Sequence, residues 1–298
     1  MVVDRGPGVN IAPSGLASGG PAPMGDDREM HDGPRTFHRS DFPTARVLGA
    51  KAGRTVSVCI PARDEEPTVG AVVAAVVGAH VAEAGGSGLV DEVVVVDDGS
   101  KDATGEVARA AGARVLVTDG EGGKGRAMAA GVEGSIGDLV AFLDADVENT
   151  SEWFVSGLLG PLLLEEDVAL VKGFYERPLH GSPGGGGRVT ELMARPLLEV
   201  VFPHLLEVRQ PLAGETAAPR WVLEKLELAP GYGVELGLLV DVASRFGTAS
   251  VAQVDLGVRI HRNRPLAELR GQAVEVLRAG LARAPHHGPA GSGSGGYR

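Results

Sequence analysis

Between residues 55 and 146 short apolar runs of strand length alternate with longer stretches of helical period, and this alternation leaves few folds open. The strand-like runs are 55–60, 91–96, 114–117 and 138–146. The helical ones are 69–84, 103–111 and a segment opened by the Gly-Gly-Lys-Gly at 122–125. Acids and a proline in Glu65-Glu66-Pro67 mark the first helix start, and Asp102 or Ser100 is placed to cap the second. Such an order builds βαβ units, so the expected fold is α/β, with a mostly parallel central sheet flanked by helices.

In sheets of this kind ligands lie outside the carboxyl ends of the strands. The polar residues of this chain collect there. Residues 61–66 follow the first strand, Asp97 and Asp98 follow the second, and Asp144 and Asp146 follow the fourth, so three acidic clusters converge on one edge. Asp144 and Asp146, separated by one residue where a strand opens into a loop, are able to turn toward one hard cation such as Mg²⁺ or Mn²⁺. A cation so held bridges to a diphosphate. Strand ends that meet water are also often acidic, and Asp-x-Asp alone is a common pair; its company gives it weight. No Gly-x-Gly-x-x-Gly follows the first strand, which removes a dinucleotide fold. The lysine loop at 122–125 lacks the spacing and the following Ser or Thr of a Walker-type phosphate loop.

A chain of 298 residues with 43% hydrophobic content buries one substantial core, placed here at residues 45–284. Residues 1–44 are rich in Gly, Pro and Asp without apolar period and read as a disordered arm, as does the Gly/Ser tail at 285–298. The formal net charge of −11 argues against a nucleic-acid partner. Cys59 is the sole cysteine, no run reaches the length of a membrane span, and the N-terminus lacks the pattern of a secretion signal, so the expected setting is the cytoplasm without a membrane partner.

As a set, Ile60-Pro61-Ala62-x-x-Glu65-Glu66, Val96-Asp97-Asp98-Gly99-Ser100-x-Asp102-x-Thr104, Gly123-Lys124-Gly125 and Asp144-Ala145-Asp146 resemble the nucleotide-sugar half of a GT-A glycosyltransferase. Later motifs narrow the resemblance: 171–178, Gly185 to Leu192 around Arg188, Gln210-Pro211-Leu212-x-Gly214-Glu215, Ala229 to Glu235, and His261-Arg262-Asn263-Arg264-Pro265 are similar to those of the actinobacterial glucosyl-3-phosphoglycerate synthases and their mannosyl relatives. The similarity covers about residues 51–269 and implies a donor half at about 51–150 and an acceptor half at about 151–284. Departures exist: Asp64 stands where Asn is usual, Asp98 stands where Ser is frequent, and the segments 117–122 and 178–184 look short.

The resemblance implies roles for individual residues. Pro61, Ala62 and Glu65 resemble the pocket for the uracil base, Asp98 a nucleoside contact, and Lys124 a phosphate or base contact; Ala145 lies between Asp144, the ribose-binding acid, and Asp146, the metal-binding one. His261 matches the second metal ligand. Gly187, Arg188, Thr190 and Asn263 match the site for 3-phosphoglycerate. Independently of the family, a glycine run leading into an Arg and a helix offers free N–H groups and a guanidinium to an anion. Glu235 matches a carboxylate near the acceptor, suited to orienting or deprotonating a hydroxyl. A helix-dipole role at a first turn would also account for Glu65 and Glu235. The implied activity is a retaining, Mg²⁺- or Mn²⁺-dependent transfer of glucose from UDP-glucose to the 2-hydroxyl of D-3-phosphoglycerate by a homodimer. Transfer of mannose from GDP-mannose, a non-catalytic sugar-nucleotide binder and a sugar nucleotidyltransferase are the alternatives.

Overall fold

A computed structural model of the chain describes residues 33–80, 88–119, 121, 123–177, 187–260 and 266–285. In order, the elements are β1 (Arg35–His38), α1 (Thr44–Ala50), β2 (Val56–Ala62), α2 (Glu66–His80), β3 (Glu92–Asp97), α3 (Thr104–Ala110), β4 (Arg114–Val117), α4 (Gly123–Gly134), β5 (Leu139–Phe142) and α5 (Glu152–Leu164). They continue with β6 (Leu170–Glu176), α6 (Arg195–Val201), β7 (Thr216–Pro219), α7 (Arg220–Leu223), α8 (Val234–Phe246), β8 (Val251–Val258) and α9 (Leu266–Ala282). The described strands form an eight-stranded sheet in the order β1-β8-β6-β7-β5-β2-β3-β4. Every pairing is parallel except those of β7, which runs antiparallel to β5 and β6.

The central strands are buried on both faces, as a sheet covered by helices requires. With period two, Val56, Val58, Ile60 and Ala62 face one apolar layer, together with α2 and α5. Cys59, Val94, Val96, Val140 and Phe142 face the other, formed with α4, α6 and α8. The fully apolar face pattern of α5 is explained by its burial from several sides, where Phe154, Val155, Leu158 and Leu159 all enter the core.

The sequence assigned residues 33–44 to a disordered arm, and the structure corrects this. β1 pairs in parallel register with β8 at the sheet edge, Arg35 opposite Ala252 and His38 opposite Asp255. Phe42 is buried and packs so closely on Gly160 that a Cβ there would overlap its ring. A four-residue edge strand and one anchoring phenylalanine leave no periodicity to read. Only the edge of β8 and the gap over α5 give them a place. Residues 1–32 and 286–298 lie outside the described residues.

The strand expected at 138–146 is shorter, ending at Phe142. Just beyond it the Leu143 N–H donates to the Cys59 carbonyl at 3.1 Å, and the two acids follow in a turn. Beside it the Asp98 N–H donates to the Ala62 carbonyl at 2.9 Å, so the ends of β2, β3 and β5 open side by side.

Candidate active site

A cavity of about 330 Å³ opens at these strand ends. Pro61, Ala62, Glu65, Asp98, Lys124, Asp144, Ala145 and Asp146 line it together with Gly187, Arg188, Thr190 and Glu235. Sequence-distant candidates for donor, acceptor and catalysis thus share one space. His261 and Asn263 lie outside the described residues, as do Gly184, Gly185 and Gly186.

The side of the cavity that carries Pro61, Ala62, Glu65 and Asp98 is shaped by two loops that lock together. The Asp64 N–H donates to Ser100 Oγ at 3.0 Å and the Lys101 N–H returns to Asp64 Oδ1 at 2.7 Å. The Glu66 N–H reaches Asp102 Oδ2 at 3.2 Å, while the Ala103 N–H reaches Glu66 Oε2 at 3.0 Å. Asp102 therefore serves both helix starts, since it also accepts the Thr104 N–H at 3.0 Å. The Glu65 N–H donates to Thr104 Oγ1 at 2.9 Å, which seats this residue at the cavity wall. Asp98 accepts from Thr118 Oγ1 at 2.6 Å and lies 3.9 Å from the Arg63 guanidinium.

Lys124 ties Asp144 to Glu235 at the cavity wall. Its ammonium is 2.5 Å from Asp144 Oδ1 and 2.6 Å from Glu235 Oε1. Burial disfavours this charge, but the two carboxylates outweigh it and hold the ammonium well above the usual lysine range. Lys124 reaches this place because α4 starts against the turn before α8: a Cβ on Gly125 would fall on the Ala229 carbonyl. Tyr232 is tied to α9, its N–H donating to Glu275 Oε2 at 2.7 Å.

Asp144 and Asp146 meet a cation of the protein itself. Arg259 Nη2 lies 2.8 Å from Asp144 Oδ2 and 2.8 Å from Asp146 Oδ1. Burial alone would raise the Asp144 carboxyl, yet Lys124 and Arg259 hold it far below the ordinary carboxylate range. Behind Arg259 is a buried polar network. Tyr175 donates to Glu215 Oε2 at 2.6 Å, and Arg177 and Arg259 donate to the Tyr175 hydroxyl at 2.7 and 2.8 Å. Both guanidinium groups also lie near the Tyr175 ring, at 4.8 and 5.2 Å from its centroid. Burial pushes the Glu215 carboxyl up against the opposing pull of Arg259.

Arg259 is set by backbone contacts. Its N–H donates to the Glu176 carbonyl, the Ile260 N–H donates to Asn149 Oδ1 at 2.8 Å, and the Glu148 N–H donates to the Ile260 carbonyl at 2.9 Å. The strand end of β8 is thereby stitched to the loop carrying Asp146. Sequence reasoning gave no role to Arg259, Tyr175, Glu215, Arg177 or Lys172. The available signal was charge inside strand-length apolar runs, Lys172 in β6 and Glu215 just before β7, where an ionised group needs a partner.

Where the chain enters the segment of Arg188 and Thr190, Gly187 adopts φ +78°, a left-handed turn that suits glycine. Its carbonyl accepts the Glu191 N–H at 3.0 Å as the helix starts, and Thr190 is buried at the cavity wall. The first turns are wider than expected: Thr190–Ala194 form a π turn before α6. Among the described residues no group of three or more His, Cys, Asp or Glu side chains could hold a metal, and no helix is long and apolar enough to cross a membrane.

Residues 57–181 match the family described as Glycosyl transferase family 2. The glucosyl-3-phosphoglycerate synthase of Mycolicibacterium paratuberculosis is 47% identical over 263 residues, 84% of this chain and 78% of that protein. The protein of the same name from Petrotoga mobilis is 38% identical, covering 85% and 82%. A crystal structure of glucosyl-3-phosphoglycerate synthase from Mycobacterium tuberculosis with Mn²⁺, UDP-glucose and phosphoglyceric acid superposes with a TM-score of 0.77 at 44% identity, over 86% of this chain and 89% of that one. Other crystals of that enzyme hold Mg²⁺ with UDP, or Mn²⁺, UDP and glucosyl-3-phosphoglycerate.

Proposed function

Because this chain belongs to the glucosyl-3-phosphoglycerate synthases of glycosyl transferase family 2, we propose that it transfers glucose from UDP-glucose to the 2-hydroxyl of D-3-phosphoglycerate. The observation that carries this reading is the single cavity in which the nucleoside-side residues, the paired acids and the Gly187–Thr190 turn all meet.

In this reading Pro61, Ala62, Glu65 and Asp98 hold the nucleoside, with the interlocked loops fixing their spacing. Asp144, pinned by Lys124 and Arg259, receives the ribose hydroxyls, and Ala145 lets the chain pass close beneath them. Arg188, Thr190 and the Gly187 turn receive the phosphate and carboxylate of the acceptor, with Asn263 completing that site. Glu235, held by Lys124, points into the cavity and orients the attacking hydroxyl. Substitution takes place on one face of the sugar, with retention.

A hard divalent cation fits the donor set, because Asp146 presents a carboxylate to the cavity and its present neutralising partner, Arg259, is shared with Asp144. Asp146 and His261 would hold Mg²⁺ or Mn²⁺; Ile260, hydrogen-bonded to Glu148 and Asn149, fastens the end of the β8 segment to the Asp146 loop. When bound, the ion supplies positive charge against the diphosphate of the leaving group. We read the enzyme as cytoplasmic and as a homodimer; the exposed Leu192 and Val200, on the segment that precedes and includes α6, offer apolar surface to a second copy. Light scattering at twice the 30.6 kDa chain mass tests that state.

The deciding experiment offers the protein Mg²⁺, 3-phosphoglycerate and either UDP-glucose or GDP-mannose. Release of UDP with formation of the α-linked glucoside is expected. Faster release of GDP would transfer the reading to mannose, and release of neither would reduce the protein to a binder.

A further inference from the structure

Lys172 lies in the middle of β6, 1% exposed, and no step outlined above uses it. An ammonium so placed is costly unless its partners make up for the lost water. Its hydrogen bond goes to the carbonyl of Ala213, at 2.6 Å. Burial lowers its pKa to about 8, against the pull of Glu235, Glu215 and Asp144 and with the repulsion of Lys124.

Ala213 belongs to the turn that leads into β7, and three of its neighbours meet the site. Leu212 lines the cavity. Gly214 lies against the Asp144 carboxylate, so near that a Cβ would overlap Oδ1. Glu215 sits under Arg259, with Oε1 at 3.4 Å from Nε. The turn has a second tie to the same strand, since Gln210 Nε2 donates to the Tyr175 carbonyl. Lys172 thus holds the end of the turn that touches Asp144, and Gln210 holds its beginning.

The charges around it are matched. Lys124, Lys172, Arg177 and Arg259 stand against Asp144, Asp146, Glu215 and Glu235 in one contiguous cluster.

We propose that Lys172 is a positioning residue for sugar transfer, holding the Ala213 carbonyl to β6 so that Gly214 backs the Asp144 carboxylate and keeps it aligned on Lys124 and Arg259. It touches neither substrate. The inference rests on the reading of the cavity as the transfer site.

The test is a double-mutant cycle of Lys172→Met with Asp144→Ala, read as UDP binding by calorimetry and as UDP release in turnover. Alone, Lys172→Met is expected to weaken UDP binding about tenfold and to lower kcat/KM for UDP-glucose by more, with the melting temperature at pH 7 unchanged. In the Asp144→Ala background the same substitution should weaken UDP binding by less than about twofold, because its route to the site is gone. Wild-type binding and turnover in Lys172→Met, or an equal weakening in both backgrounds, overturns the proposal. If Lys172→Met does not fold, Lys172→Gln goes through the same cycle with the same outcomes. A wild-type protein that binds UDP yet releases none from UDP-glucose counts against the transfer reading instead, and leaves the binding cycle to judge Lys172.

Discussion

Gly214→Ala isolates the contact that backs the Asp144 carboxylate. The position has no left-handed φ, so alanine meets no backbone strain, and the whole effect comes from one methyl group. That methyl would overlap Asp144 Oδ1 and stand 2.5 Å from Cγ and Oδ2. The carboxylate must retreat by about 1 Å to reach ordinary contact, and it has no slack, being 2.5 Å from Lys124 and 2.8 Å from Arg259. Overpacking of this kind costs about 1–3 kcal/mol of stability. A misplacement of about 1 Å in a reacting constellation lowers turnover by about 100-fold. Thermal denaturation and steady-state UDP release measure the two effects separately. Combination with Asp144→Ala removes the clash, so the stability cost of Gly214→Ala should vanish in that background. Activity within about threefold of wild type, or a stability cost undiminished when the Asp144 carboxylate has been truncated, would refute the reasoning.

Asp146→Ala should abolish sugar transfer by more than about 100-fold while the melting temperature holds, since Arg259 keeps Asp144 and Glu215 as partners; unchanged activity would remove the metal assignment. Chelation of divalent ions should likewise stop UDP release, with Mg²⁺ or Mn²⁺ restoring it. Arg259→Met strands the fully buried Glu215 and is expected to cost about 3–5 kcal/mol in urea denaturation, with part regained in Arg259→Met/Glu215→Gln. Lys172 is depressed to about 8 in the folded chain against 10.5 unfolded, so between those values the unfolded chain binds more protons and this group's contribution to stability rises with pH. Wild type should therefore gain up to about 3 kcal/mol on Lys172→Met between pH 8 and pH 10.5, and a flat difference between the two would exclude a depressed lysine.

Much of this architecture was legible along the chain. The runs at β2, β3, β4 and β5 carry their own apolar pattern, the breaks after them hold Asp98, Asp144 and Asp146, and Glu235 falls in the first turn of α8. Pattern alone was enough to place Asp98, Asp144 and Asp146 at the carboxyl edge of a parallel sheet, because strand period and loop position are local properties. β1 was not legible, since a short edge strand draws its stability from the β8 edge rather than from its own composition.

The α/β class, the acidic edge and the residue types available to a sugar nucleotide are therefore written in the order of the amino acids. The folded chain was needed to show that Arg259 from the end of β8 stands between Asp144 and Asp146, that Lys124 joins Asp144 to Glu235, and that Tyr175 and Glu215 lie beneath them. An ion pair is set by distance in space, which no local pattern records. Residues far apart along the chain share a low-dielectric pocket only once the sheet has placed their strands side by side.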